Sequence, residues 1–266
     1  MRISLLLIFL STAPALFAED QAGFSADRPG TTPSAEVIPG GAVQFELGTG
    51  FRSQREDGIV EHTITGGAPL LRLGAGHRTE LRFGGDGFRV QNTEASAVTE
   101  RIRGWSDFAI GAKIKLLDEH GWRPAFAILP ALSLPLGHDR YTSNGLDPAI
   151  SISAAKSLPY GLSAGLAAGF ASISDNMGRI AQRSASVSLG HALAAGLSGY
   201  VEIYGVSPEE RGMPTVTMAD AGVSHAAGKH AQVDIEAGRR FFGGVSCWFV
   251  SGGLAFRNSP PHWLRP

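Results

Sequence analysis

From Trp105 to Gly137 apolar and polar positions alternate one by one. Phe108, Ile110, Ala112, Ile114 and Leu116 share one face of a first run, while Asp107, Ala109, Gly111, Lys113 and Lys115 share the other. A turn at Asp118-Glu119-His120-Gly121 follows. Beyond it, Phe126, Ile128, Leu132 and Leu134 alternate with Ala125, Ala127, Ala131 and Ser133. A period of two over this length predicts strands whose two faces meet different surroundings. The polar face mixes lysine with glycine and alanine, which suits a barrel lumen when the other face meets lipid.

Twelve runs of this kind cover 41–52, 59–73, 77–86, 103–117, 123–135, 148–157, 162–173, 181–192, 197–205, 215–226, 230–239 and 244–256. Runs of 9–15 residues exceed the usual globular strand of about 5–6 and suit a tilted membrane strand of about 9–11 with extensions. The connections 53–58, 87–102, 136–147, 174–180 and 206–214 are longer than the intervening 74–76, 118–122, 158–161, 193–196 and 227–229. Only the last connection, 240–243, breaks this trend. Long and short loops alternate when every second turn faces the periplasm. The pattern predicts an all-β chain: a single antiparallel, up-and-down transmembrane β-barrel of about 12 strands over residues 41–256. Residues 87–102 and 136–147 are expected as exposed outer loops. Val60 and Ile64 have the opposite parity to Leu71 and Leu73, so a bulge is expected near Gly66-Gly67. Phe51, Trp105, Phe170 and Phe241 fall near the outer strand ends, and Trp122, Tyr160 and Phe256 near the periplasmic ones, as interfacial girdles do.

Composition narrows the class. Residues 1–18 read as a signal peptide: Arg2, an apolar run from Ile3 to Leu10, and small residues up to Ala18, after which cleavage is expected. Removing Arg2 from the 23 basic residues leaves 22 against 24 acidic ones, with no basic stripe, so nucleic acid is not an expected partner. Cys247 is the single cysteine, which excludes an internal disulfide and a cysteine metal site. The 35 glycines show no three-residue period, which excludes collagen. Residues 19–40 form an irregular lead-in containing Asp27-Arg28-Pro29-Gly30, and 257–266 form a tail.

With the strands placed, the chain resembles the meta-pathway phenol-degradation family of outer-membrane β-barrel transporters. The matching pieces begin with Asp27-Arg28-Pro29-Gly30, Gly41 to Gly48, Pro69 to Gly74 and Glu80-Leu81-Arg82. They continue through Gly104 to Asp107, Gly111-Ala112-Lys113, Pro124-Ala125 and Leu134 to Gly137, then Val201 to Gly205, Asp220-Ala221-Gly222 and Gln232-Val233-Asp234. The resemblance implies an outer-membrane location and passage of small, hydrophobic or aromatic solutes. Expected partners are outer-membrane lipid, small-molecule solutes and the barrel-assembly machinery; no cofactor or metal is implied. Barrels commonly end on an aromatic residue, whereas here Phe256 precedes Arg257 and a Pro260-Pro261 tail, so the assembly signal is either internal or involves Trp263.

Assigning each strand's apolar parity to lipid leaves an inward set. Its pore candidates are Glu46, Arg72, Glu80, Arg82, Asp107, Lys113, Lys115, Glu202, Tyr204, Asp220, Asp234 and Glu236, with Gln44, Glu61 and Gln232 on the same face. Bases concentrate on the second to fourth strands and acids on the ninth to eleventh, about half a turn apart. Two readings stay open: a transverse field across a pore, or charge pairing that fills a narrow lumen. The lead-in is equally either a plug, with Asp27 and Arg28 inside and Arg28 meeting the acidic wall, or a periplasmic linker. The histidines lack zinc spacing and no Gly-x-Ser-x-Gly element sits on a strand-to-helix turn, so no catalytic set is expected. A non-conducting structural or surface-recognition barrel, with Tyr141 and Asn144 at a loop tip, is the competing class.

Overall fold

The computed structural model describes residues 24–258 apart from 97, 176, 209–210, 213–214 and 243–244. The expected signal peptide, its cleavage point and Trp263 lie outside the described residues. Fourteen strands follow in order: β1 (Val43–Glu56), β2 (Ile59–Gly74), β3 (Thr79–Gly85), β4 (Phe88–Ala95), β5 (Val98–Trp105), β6 (Phe108–Leu117) and β7 (Ala125–Leu134), then β8 (Asp147–Ser157), β9 (Leu162–Asp175), β10 (Gly178–Ala194), β11 (Leu197–Ser207), β12 (Val216–Ala227), β13 (Ala231–Arg240) and β14 (Ser246–Arg257).

These make twelve staves. β3 and β4 are one stave interrupted at Asp86-Gly87, because β3 pairs with the Leu70–Gly74 end of β2 and β4 with its Ile59–Gly66 end. β5 and β6 are likewise one stave interrupted at Ser106-Asp107. All pairings are antiparallel and join staves consecutive in sequence, apart from the closure, in which β1 pairs with both β2 and β14. The expected bulge is present: the β1–β2 register shifts between Gly48 and Gly50, opposite Gly66-Gly67, and Gly67 adopts φ +60. A left-handed backbone there suits glycine.

The expected loop 87–102 is a correction. Its residues form the β4–β5 hairpin, which carries the sheet beyond the end of β7. Its few apolar residues, such as Val90 and Ile102, fall on opposite faces among polar ones, so hydrophobic alternation gave no sign of it. Likewise 53–58 and 174–180 shrink to tight turns as β1, β2, β9 and β10 extend. The far end, opposite the barrel's termini, therefore projects mainly as strand. The connection 135–146 stays irregular and leans on β5: the His138 N–H donates to the Trp105 carbonyl (2.8 Å) and the Tyr141 hydroxyl to that of Ile102 (3.2 Å).

Outward side chains form an apolar band all round. Phe45, Leu81, Ile110, Ile150, Leu166, Val187, Val201 and Val233 are all exposed. Apolar surface on this scale is not left in water by a soluble monomer. Trp122 and Tyr160 stand almost fully exposed at the terminal end, where Phe256 is also exposed, while Trp105, Phe170 and Phe241 are exposed toward the far end. Inward side chains are smaller or charged, and the largest of those fully buried are Arg72, Lys113, Gln44, Glu46 and Glu80. No helix among the described residues is long and apolar enough to cross a membrane.

Candidate lumen site

The lead-in lies inside the barrel. Residues 25–38 touch inward side chains of β1, β2, β3, β6, β8, β10, β11 and β13, strands that encircle the bore. This segment forms neither helix nor strand, so its backbone groups need other partners once buried. The wall supplies them. Carbonyls of Ser25, Arg28, Pro33 and Glu36 accept from Arg72 and Gln44, from Gln232, from Ser153, and from Lys113 and Arg72. N–H groups of Asp27, Gly30, Thr31, Thr32 and Ile38 donate to Glu46, Glu236, Glu202, Glu202 and Glu80. Apolar help is small: Ala35 packs on Ala125 and Ala127, and Ile38 is buried.

On the β2–β3–β6 side, register places Arg72 directly opposite Arg82, and Glu80 opposite Lys113. Like charges facing across two strands repel. Asp27 relieves this. Its carboxylate lies 2.5 Å from Arg82 and 2.8 Å from Lys113, with Arg72 at 3.9 Å. Arg72 also meets Glu46 at 3.1 Å and Glu80 at 2.8 Å. Burial pushes the Asp27 carboxyl up, but Lys113, Arg72 and Arg82 outweigh it and hold it far below the ordinary carboxylate range. Three cations and three carboxylates thus form one neutral, water-excluded cluster.

On the β11–β13 side, register places Glu202 opposite Asp220. The lead-in answers Glu202 with two backbone N–H groups, from Thr31 (2.5 Å) and Thr32 (2.6 Å), and with the Thr32 hydroxyl. Glu236 accepts from Gly30 N–H (2.7 Å), Tyr200 (2.6 Å) and Ser251 (2.5 Å). Arg28 reaches Asp234 at 3.2 Å. Gly48 and Gly253 make this possible, since a Cβ on either would occupy the place of the Arg28 guanidinium.

Most of the expected pore residues therefore converge on the lead-in: Glu46, Arg72, Glu80, Arg82, Lys113, Glu202, Asp234 and Glu236, with Asp27 and Arg28 inside as the plug reading requires. Lys115 sits lower, pairing with Glu36 (2.7 Å) and Asp118 (2.9 Å) near the terminal mouth. Tyr204 and Asp220 line a 250 Å³ cavity on the other side of the segment. Asp107 is a correction. It stands at the β5–β6 break, and its carboxylate accepts from Gly137 and Ser143 N–H (2.9 and 3.1 Å), so it anchors the 135–146 connection and does not line the bore. Tyr200 and Arg52 went unnoticed in the sequence, although each shares parity with an inward neighbour, Glu202 and Glu46 respectively.

A larger cavity of 470 Å³ runs along β6–β9, lined mainly by small residues such as Ala109, Gly111, Ala131, Ala149, Gly169 and Ala171, with Arg28 and Arg82 at its edge. A third, of 330 Å³, lies beneath Pro29 and Gly30 against Ser163, His191, Tyr200 and Glu202.

The family model described as "Putative MetA-pathway of phenol degradation" matches residues 26–257. Among solved structures, the COG4313 outer membrane channel from Pseudomonas putida F1 is similar at 13% identity and TM-score 0.65, covering 87% of this chain and 99% of that one. A NanC porin matches at 10% identity and TM-score 0.48, over 79% and 98%. The translocator domain of the autotransporter NalP from Neisseria meningitidis matches at 10% identity and TM-score 0.49, over 82% and 88%. No curated protein matches the sequence. At these identities the likeness is one of fold.

Proposed function

The chain belongs to the family whose model it matches over residues 26–257, and from that premise we propose that it is an outer-membrane channel for passive passage of small solutes, with residues 24–40 as a resident plug. The apolar band faces lipid, the terminal end faces the periplasm, and the β4–β5 hairpin projects outward. The observation that carries this reading is the lead-in's position, with its polar backbone bonded to charged groups on opposite walls. A structural barrel has no need of such a segment, whereas a passage needs something to restrict it.

The solute class follows from the unblocked space. The 470 Å³ cavity is large enough for a small ligand, and its alanine and glycine lining tolerates an aromatic or other apolar ring. The β11–β13 wall sets the ion preference: of its four carboxylates only Asp234 has an ion-pair partner, Arg28, among the described residues, so cations are favoured over anions.

Planar-bilayer recording tests the proposal. The full chain should give a small, cation-preferring conductance, and deletion of residues 24–38 should raise it several-fold. Equal conductance in both would refute the plug, and no conductance in either would refute the channel.

A further inference from the structure

Asp220 is out of keeping with its surroundings. It is 7% exposed, yet neither carboxylate oxygen has a hydrogen-bond partner among the described residues. Its cross-strand partner is another acid, Glu202, whose donors are the lead-in's Thr31 and Thr32. The Tyr200 hydroxyl lies against both Glu236 and Asp220, but it carries one hydrogen and donates it to Glu236 at 2.6 Å. Arg28 is engaged with Asp234. A buried acid without a donor costs free energy that a bound positive group would offset.

The space beside it has a matching shape. Asp220, Tyr204 and Glu236 line the 250 Å³ cavity with Phe249. Phe249 and Asp220 crowd the same point. A Cβ placed on Gly238 would lie 2.5 Å from Phe249 Cε1 and 2.7 Å from Asp220 Cβ, so glycine leaves the room in which the ring and the Asp220 side chain lie side by side. A carboxylate beside an aromatic ring suits an organic ammonium, which gains from both the charge and the ring. The described acids do not converge closely enough to chelate a metal ion, whereas an ammonium group needs only one carboxylate and nearby acceptors.

We propose that Asp220, with Phe249 and Tyr204, forms a subsite for the ammonium group of a small organic amine on the outer side of the plug. The amine's N–H groups point at Asp220, and its carbon body lies against Phe249. The proposal rests on the channel reading only for the solute's access, and binding can be measured without conductance.

Benzylamine serves as the probe and benzyl alcohol as its neutral counterpart, each titrated calorimetrically into the full chain in detergent micelles. Saturable benzylamine binding with no benzyl alcohol binding is expected. Asp220→Asn should weaken benzylamine at least tenfold, and Phe249→Leu several-fold with the carboxylate intact. Heat-modifiable migration on gels reports whether each variant is folded. Unchanged affinity in Asp220→Asn, equal binding of the alcohol, or competition by millimolar potassium chloride as strong as by a second amine would each overturn the proposal. If Asp220→Asn failed to fold, loss of affinity in Phe249→Leu would support it and unchanged affinity would overturn it. A channel without conductance that still binds benzylamine through Asp220 would separate this inference from the channel reading.

Discussion

Around Asp27 the lumen matches Arg72, Arg82 and Lys113 with Asp27, Glu46 and Glu80, whereas across the bore, of Glu202, Asp220, Asp234 and Glu236, only Asp234 has an ion-pair partner among the described residues, Arg28. The first wall holds the plug by side-chain charge. The second holds it by the backbone N–H groups of Gly30, Thr31 and Thr32. Neutrality makes the first grip insensitive to screening, because its members are shielded from water and salt reaches them poorly. The second grip leaves carboxylates in excess, and these remain available to whatever enters. One wall is thus a fastening and the other a working surface.

The largest effect should come from undoing the fastening. Asp27→Ala leaves Arg72 and Arg82 opposed with too few acids, and breaking a buried charge group of this kind costs about 3–5 kcal/mol. Conductance should approach that of the deletion of residues 24–38. If it stayed at the full chain's value, charge pairing would not be what holds the plug. Acid should reach the same end by another route. The Asp27 carboxyl sits far below its ordinary value of 3.8, so its contribution to docking is full above that value and falls away only as pH drops further. The part of the conductance that Asp27→Ala releases should therefore stay blocked in the full chain from pH 7 down to about pH 4 and be released only in stronger acid; a difference between the two chains that vanished near neutral pH would contradict this.

Loosening the other wall should do less. Glu202→Gln keeps the shape but loses charge at the Thr31 and Thr32 donors, a loss of about 1–3 kcal/mol. Amide exchange at those two residues should quicken while exchange at Ile38, held by Glu80, stays slow. Equal quickening at both ends would mean the walls act as one. Gly48→Ala displaces only the Arg28 guanidinium, which is the end of a flexible side chain, and should cost roughly 1 kcal/mol. The expected readout is a partial rise in conductance without loss of folding. Smallest of all, Asp118→Asn at the exposed mouth should leave the melting temperature unchanged, because solvent screens its pairs with Arg78 and Lys115.

The barrel was legible because all twelve of its staves carry apolar alternation over part of their length. Parity alone also located the bulge at Gly66-Gly67 and put Glu46, Arg72, Glu80, Arg82 and Glu202 inside. What alternation could not reach is structure outside that band. Arg89 to Glu94 and Thr99 to Arg103 are polar apart from Val90 and Ile102, which fall on opposite faces, so β4 and β5 gave no period to read. Asp107 shares parity with Lys113 but lies at the end of its strand, where a backbone-capping role replaces a lumen one. The lead-in stayed undecided for a different reason. Nothing within Asp27-Arg28-Pro29-Gly30 shows that Arg72 and Arg82 face each other across two strands, and that opposition is what Asp27 answers.

The plug is also joined to the wall it fills. Gly41 N–H donates to Gly74 O (2.9 Å) and Ala42 N–H to Pro39 O (3.0 Å), pinning the chain at the mouth immediately before β1. Ile38, the last lumen-bonded residue, is thus only a few residues from a fixed point. A ligand on so short a leash meets its site at an effective concentration on the order of millimolar or more. Weakened docking therefore shortens each visit without sending the segment away, and partial variants should flicker between two current levels. A synthetic peptide of residues 24–40, added to the deletion variant, lacks that leash and should block only when supplied near the same concentration.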